Sequence, residues 1–316
     1  MRDQHGAGLH RGQLNSAYPK WDGYRVQLAV HVGGQVLLRS RQGTDMTGSF
    51  PEIRAAALAQ LPADTGLDGE LVVWERDRLA FERLQQRLAR RGSGAAEAAR
   101  RWPAHYVAFD LVHLGKDLTG WPYERRRAAL EALFTDHGLQ TPLTLCPSTT
   151  DPAVARGLLE WTAVGVEGLC FKRLREPYVG GARSWGKYKV RETTEAIVGA
   201  VTGSLTAART LLLGRYDIEG RLQYVGRTTL ARAPGITDAG LLTTPRREHP
   251  WTGRSFSVGW SSRETLDLTL VQPELVVEVG IDVPRDASGR WRHPAPWHRA
   301  RPDLSPADVP LLTSPR

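Results

Sequence analysis

Lys20-Trp21-Asp22-Gly23-Tyr24-Arg25 places a lysine ahead of an Asp-Gly pair and an arginine. A free lysine, with a pKa near ~10.4, is almost wholly protonated at neutral pH, so an amine nucleophile needs help. Nearby cations, here Arg25 and lysines further along, can lower that pKa and free the lone pair. Downstream motifs hold candidates for the other groups that an amine attacking a phosphate would need.

Outward from Lys20, apolar residues alternate at Val26, Leu28 and Val30, then at Val36 and Leu38. This predicts two strands about the Gly33-Gly34 turn. Residues 51–61 predict a short helix with Pro51 in its first turn, and 67–74 a strand. Residues 81–101 read as one basic helix, with Arg83, Arg87, Arg90 and Arg91 spaced to share a face. That face is expected to meet duplex phosphates, the alternative being plain solvation. A strand over 106–113, helices over 123–137 and 151–164, and strands over 166–172 and 185–190 complete an α+β pattern.

After Thr193 the character changes. The runs 196–202, 210–216, 222–227 and 275–279 are β-branched or leucine-rich and separated by glycine-containing turns. Such strands suit a small β-barrel, with 231–250 as a helix or loop within it. Residues 1–17 are expected to be a loose lead-in, and a linker is expected at 191–195.

The 316 residues allow two domains, and 41% apolar with 8% aromatic content suits a soluble globular chain. No apolar run approaches the ~20 residues that cross a bilayer, and the N-terminus lacks the apolar core of a secretory signal. Cys146 and Cys170 alone cannot build a disulfide framework or a four-cysteine zinc site, so a cytoplasmic protein is expected. Forty-two basic against 34 acidic residues, a net charge of +8, favours a polyanionic partner such as nucleic acid. A GC-rich genome is the bland explanation for the same balance.

Further charged motifs follow in order. Arg41, in Ser40-Arg41-Gln42-Gly43 ahead of Phe50-Pro51-Glu52, can present its planar fork to phosphate. Glu70, in Leu67-Asp68-Gly69-Glu70-Leu71, lies between apolar strand positions and can accept two hydrogen bonds. Phe109, in Phe109-Asp110-Leu111, offers an aromatic face or is a core residue. Lys187 and Lys189, two apart on a predicted strand, project to one face and repel unless an anion neutralises them. The spacing Gly181 to Gly186-Lys187 imitates a P-loop, but Tyr188 stands where Ser or Thr is needed and a strand follows, so that reading is rejected.

Together, from Tyr18 to about Pro310, these motifs resemble the covalent nucleotidyltransferases, most closely the ATP-dependent DNA ligases of bacterial end-joining type. The resemblance implies an adenylation domain over 1–192 with antiparallel sheets and flanking helices, followed by an OB-fold barrel over 193–316. It implies that Lys20 attacks the α-phosphate of ATP and that Arg25 and Arg41 serve the nucleotide site. Glu70 would contact ribose, and Phe109 would stack on adenine. Within Glu167-Gly168-Leu169-Cys170-Phe171-Lys172, Glu167 would hold Mg²⁺ and Lys172 would lie near the nucleotide. Lys187 and Lys189 of Trp185-Gly186-Lys187-Tyr188-Lys189 would meet phosphates. Arg301, in Arg299-Ala300-Arg301-Pro302-Asp303-Leu304, would orient the pyrophosphate.

Three features depart from the family pattern. Tyr18 replaces a glutamate that reads the adenine amino group, Leu304 replaces a lysine, and the 19-residue lead-in is short. The partner expected is nicked double-stranded DNA, served by a monomer, with end-binding or polymerase repair proteins acting in trans. An RNA ligase, a capping guanylyltransferase or a non-catalytic nucleic-acid binder are the alternatives. His293 and His298 lack metal spacing and read as surface residues.

Overall fold

Residues 15–180, 185–230, 241–257, 265–282, 285–286 and 288–312 are described in the computed structural model. The chain divides into two compact units, Met1–Val190 and Arg191–Arg316.

In unit 1 the elements run β1 (Asn15–Pro19), β2 (Tyr24–Val30), β3 (Val36–Ser40), α1 (Pro51–Gln60), β4 (Thr65–Glu75), β5 (Arg78–Leu79), α2 (Phe81–Leu88) and α3 (Gly92–Arg101). There follow β6 (Ala104–Leu114), α4 (Tyr123–Asp136), β7 (Leu143–Leu145), α5 (Pro152–Gly157), β8 (Gly168–Arg173) and β9 (Gly186–Lys189). One sheet has the order β3-β2-β4-β6-β7, with β5 on β4; the other is β1-β8-β9. Every pairing is antiparallel except β6 with β7.

Period-two alternation turns Val26, Leu28 and Val30 inward, where they pack with Leu38, Leu67 and Leu71 in the larger core. A second cluster joins the two sheets: Tyr18 from β1, Val72 from β4, Phe109 from β6 and Cys170 from β8. Lys20 follows β1 directly and so emerges at this junction.

Two glycines fix the junction. A Cβ on Gly23 would lie 2.1 Å from the Leu71 carbonyl oxygen and 2.8 Å from Glu70 Cγ. Glycine therefore lets the turn after Lys20 press onto β4 beside Glu70. Gly168 has φ +141°, and a Cβ there would sit 2.1 Å from the Tyr188 carbonyl oxygen, so β9 lies close along β8.

Several expectations need correction. Residues 15–17 are not lead-in but the start of β1, which pairs with β8 from Asn15↔Arg173 to Pro19↔Leu169. The basic helix is two helices, broken where Gly92 takes φ +54°. Its arginines do not share one face: Arg87 is fully buried and donates to Glu52 at 2.5 and 2.8 Å, half-buried Arg83 donates to Glu75 at 2.6 Å, and Arg91 is exposed. Arg91 bonds Ser49, so the expected phosphate-facing row is dispersed. The 151–164 helix is α for one part, then 3₁₀ from Leu158 to Val164.

Unit 2 comprises β10 (Arg191–Thr202), β11 (Thr210–Tyr216), β12 (Leu222–Thr229), β13 (Thr269–Leu270), β14 (Val276–Asp282) and β15 (Trp297–Ala300). They form one antiparallel path, β12-β11-β10-β14-β15, with β13 also on β10. Among the described residues no pairing closes this path into a barrel. The expected linker at 191–195 is instead the first part of β10, paired with β14 from Arg191↔Asp282 to Glu195↔Glu278. The segment expected as helix or loop lies outside the described residues over 231–240 and is not helical over 241–250. Among the described residues no helix is long and apolar enough to cross a membrane.

Candidate active site

Lys20 is tied by its backbone before its side chain is considered. Its N–H donates to the Gly168 carbonyl at 2.8 Å, and its own carbonyl accepts from Glu167 N–H at 2.9 Å. The Val190 N–H in turn donates to the Glu167 carbonyl at 3.0 Å. The ends of β1, β8 and β9 are thereby laced together, and the side chains follow: Lys20 Nζ meets Glu167 Oε2, and Lys189 Nζ stands 3.4 Å from the same oxygen.

Glu167 is 3% exposed, so this is a carboxylate held largely out of water by two ammonium groups. Burial lowers the Lys20 pKa to about 8, with Lys189 and then Lys187 adding to the effect while Glu70 opposes it. Contact with Glu167 favours the ammonium form. Arg25, expected to help depress this pKa, is instead engaged by Asp68, its Nε and Nη2 donating to Oδ1 and Oδ2 at 3.1 and 2.6 Å. Tyr178 Oη also donates to Asp68, at 3.0 Å.

A cavity of about 140 Å³ opens beside Lys20. Tyr18, Arg25, Arg41, Glu70, Phe109 and Lys187 all line it. Glu70 comes from β4 by the Gly23 contact, and burial lifts its pKa to about 8 against the pull of Lys20. Tyr18 and Phe109 stack with centroids 5.4 Å apart and planes at 27°. Burial keeps the Tyr18 phenol neutral, its pKa well above the ordinary value.

Two proposed site residues are elsewhere. Lys172 is 2% exposed and not part of the cavity wall; its Nζ donates to Asp110 Oδ2 at 2.8 Å and to the Phe109 carbonyl at 3.3 Å. Arg126 closes the other side of Asp110 at 2.9 and 3.1 Å, so a buried Lys-Asp-Arg triad supports Phe109 from behind. Arg301 belongs to unit 2, where Asp303, Glu278 and Glu195 surround its guanidinium at 2.8, 3.3 and 3.4 Å.

Sequence reasoning missed Trp185 and Asp68. Trp185 stands edge-on to Phe109 at 5.6 Å, with the Arg25 guanidinium 4.1 Å and Lys172 Nζ 4.2 Å from its ring centroid. Its signal was its place one residue before the strand that carries both lysines. Asp68 could have been found from register, because Arg25 pairs with Glu70 and Gln27 with Asp68 on adjacent strands.

The arrangement presents one amine of lowered basicity, further cations beside it, two carboxyl groups and an aromatic wall. Comparisons with known proteins agree with that chemistry. Residues 10–190 match the family described as ATP dependent DNA ligase domain. DNA ligase C2 of Mycolicibacterium smegmatis is 36% identical over 309 residues, 90% of this chain and 85% of that protein. The multifunctional non-homologous end joining protein LigD of Mycobacterium bovis is 32% identical over 92% of this chain and 36% of its own length. A solved structure of mycobacterial DNA ligase D complexed with ATP and MES is similar with TM-score 0.50 and 29% identity, covering 95% of this chain and 93% of that one. On the family match and the identity to these relatives, the chain belongs to the ATP-dependent DNA ligase family.

Proposed function

We propose that this protein seals 5′-phosphate/3′-hydroxyl nicks in duplex DNA through a lysyl-AMP on Lys20. The observation that carries the reading is Lys20 Nζ held against Glu167 at the mouth of a cavity walled by Glu70, Lys187 and an aromatic cluster. The free Lys20 amine attacks the α-phosphorus of ATP, forming a P–N bond as the bond to pyrophosphate breaks. Lys187 and Lys189 offset the charge that builds on the phosphate oxygens. Phe109, backed by the Asp110 triad, and Trp185 orient the base; Glu70, with its raised pKa, can both donate to and accept from ribose hydroxyls. AMP then passes to the 5′-phosphate of the nick, and the 3′-hydroxyl displaces it.

Glu167 suits Mg²⁺, a hard ion that prefers oxygen, because it is a secluded carboxyl group set against the nucleophile. The ion would supply charge neutralisation on the triphosphate. We further read Met1–Val190 as the adenylation domain and Arg191–Arg316 as a divergent OB-fold, supported by the short antiparallel strands of its single sheet path. Val190, the single residue between β9 and β10, is then the pivot in place of 191–195. Service in end joining rests on the LigD relative, of which this chain spans 36%.

The test is a nicked duplex with a labelled 5′-phosphate, incubated with ATP and Mg²⁺. Conversion to a continuous strand by the wild type but not by Lys20→Ala supports the reading. A substrate with RNA on the 3′ side separates a DNA from an RNA ligase.

A further inference from the structure

Unit 2 carries a cavity of about 220 Å³ that the adenylation chemistry does not use. It lies between β12 and the segment 290–294, which is tied down by Trp291 N–H donating to the Val225 carbonyl at 2.7 Å. Gly226 makes this possible, since a Cβ there would lie 2.6 Å from the Trp291 ring. Three rings reach the cavity: Tyr224, Phe256 and Trp291, the first two tilted at 58° with centroids 5.2 Å apart. Arg227 and Arg292 stand on its wall, and among the described residues no acidic one lines it. Arg290 is drawn toward Asp286 at 2.6 Å. The cavity shares Tyr224, Ser255, Phe256 and Arg290 with a wider cleft of about 920 Å³ that Arg254 borders. The two form one groove, aromatic at its closed end; the wider part also carries Asp217 and Glu219, both paired with Arg221, so the arginines at the closed end and Arg254 supply its excess of positive charge.

We propose that this groove binds an unpaired DNA strand, with one base entering the cavity against Tyr224 and Phe256 and its phosphate meeting Arg227. Rings that stack on a base need that base out of a duplex, because paired bases offer only their edges. Guanidinium groups beside rings add charge-assisted contacts to phosphate and cation–π contacts to bases. At the closed end, where the described wall carries arginines and no carboxylate, the charge fits a phosphate. The substrate class implied is a nick or end flanked by unpaired nucleotides. The proposal does not depend on the reading of Lys20, since binding to the groove needs neither ATP nor lysyl-AMP.

The test is fluorescence anisotropy of the full chain with a labelled oligothymidylate of about 12 nucleotides, without ATP. Arg227→Ala and Tyr224→Leu are each expected to weaken binding roughly 5- to 100-fold, the range of one stacked base or one phosphate contact. Arg227→Ala should also lower the slope of log affinity against log salt by ~0.7, and Arg227→Lys should restore that slope. Melting temperatures near wild type establish that the variants are folded. Unchanged oligothymidylate affinity in both folded variants would overturn the proposal. So would tenfold tighter binding of oligouridylate, which would assign the groove to RNA.

Discussion

Glu167 and Lys20 are joined twice: the Glu167 N–H donates to the Lys20 carbonyl at 2.9 Å, and the two side chains meet through Oε2 and Nζ. The Glu167 backbone, just ahead of β8, cannot shift without moving the nucleophile, so their relative geometry is built into the backbone. The electrostatics of Lys20 are accordingly set by fixed neighbours.

Lysyl-AMP formation should therefore follow the free amine. With the Lys20 pKa lowered to about 8, the single-turnover rate at saturating ATP should rise with pH, pass half-maximum near 8 and level off above it. Lys189→Met removes the largest like-charge neighbour, so its midpoint should move up toward the ordinary lysine range. A midpoint that stays in place would remove Lys189 from the account.

Glu70 predicts a pH effect on stability of opposite sense. Its folded pKa, about 8, exceeds the ordinary ~4.3, so the folded state binds more protons in between and loses stability as pH rises through that window. Water at the cleft mouth screens the effect to about 1–2 kcal/mol. Between pH 5 and 8 the melting temperature of the wild type should fall about 2–6 °C relative to Glu70→Gln. Parallel melting curves across that range would contradict the assignment.

Gly23→Ala should cost at least ~2 kcal/mol in urea unfolding, because its Cβ would meet the Leu71 carbonyl at 2.1 Å, an immovable backbone atom. The same displacement moves the Lys20 turn away from Glu70. Nucleotide labelling should thus fall more than stability alone explains, and a folded variant with full labelling would argue against the glycine's role.

Arg87→Ala should destabilise by about 3 kcal/mol, because removing a fully buried guanidinium leaves a cavity and leaves Glu52 without its cation, with only the Ala104 N–H, among the described residues, bonded to it. Arg87→Met keeps the packing and should cost less. Since Arg87 faces the interior, folded Arg87→Met should bind nicked duplex as the wild type does, as a gel-shift titration can show.

Much of this was readable in advance because period and spacing are local. Val26, Leu28 and Val30 declared β2, and the two-residue step from Lys187 to Lys189 put both ammonium groups on the Lys20 side. What escaped depends on partners distant in sequence. Asn15–Pro19 has no alternation of its own and is a strand only because β8 accepts it. Lys172 was expected near the nucleotide, but Asp110 from β6 holds it behind the wall. The basic helix broke at a glycine whose positive φ no helical spacing announces, and its arginines found Glu52 and Glu75 across the fold.

Tryptic peptide mapping of the protein after incubation with ATP and Mg²⁺ tests the chemistry where it is claimed to happen. One AMP should be found on Lys20, be discharged by added pyrophosphate, and be absent from Lys20→Arg. An adduct on any other residue, or a wild-type protein that stays unmodified while sealing nicks, would contradict the account.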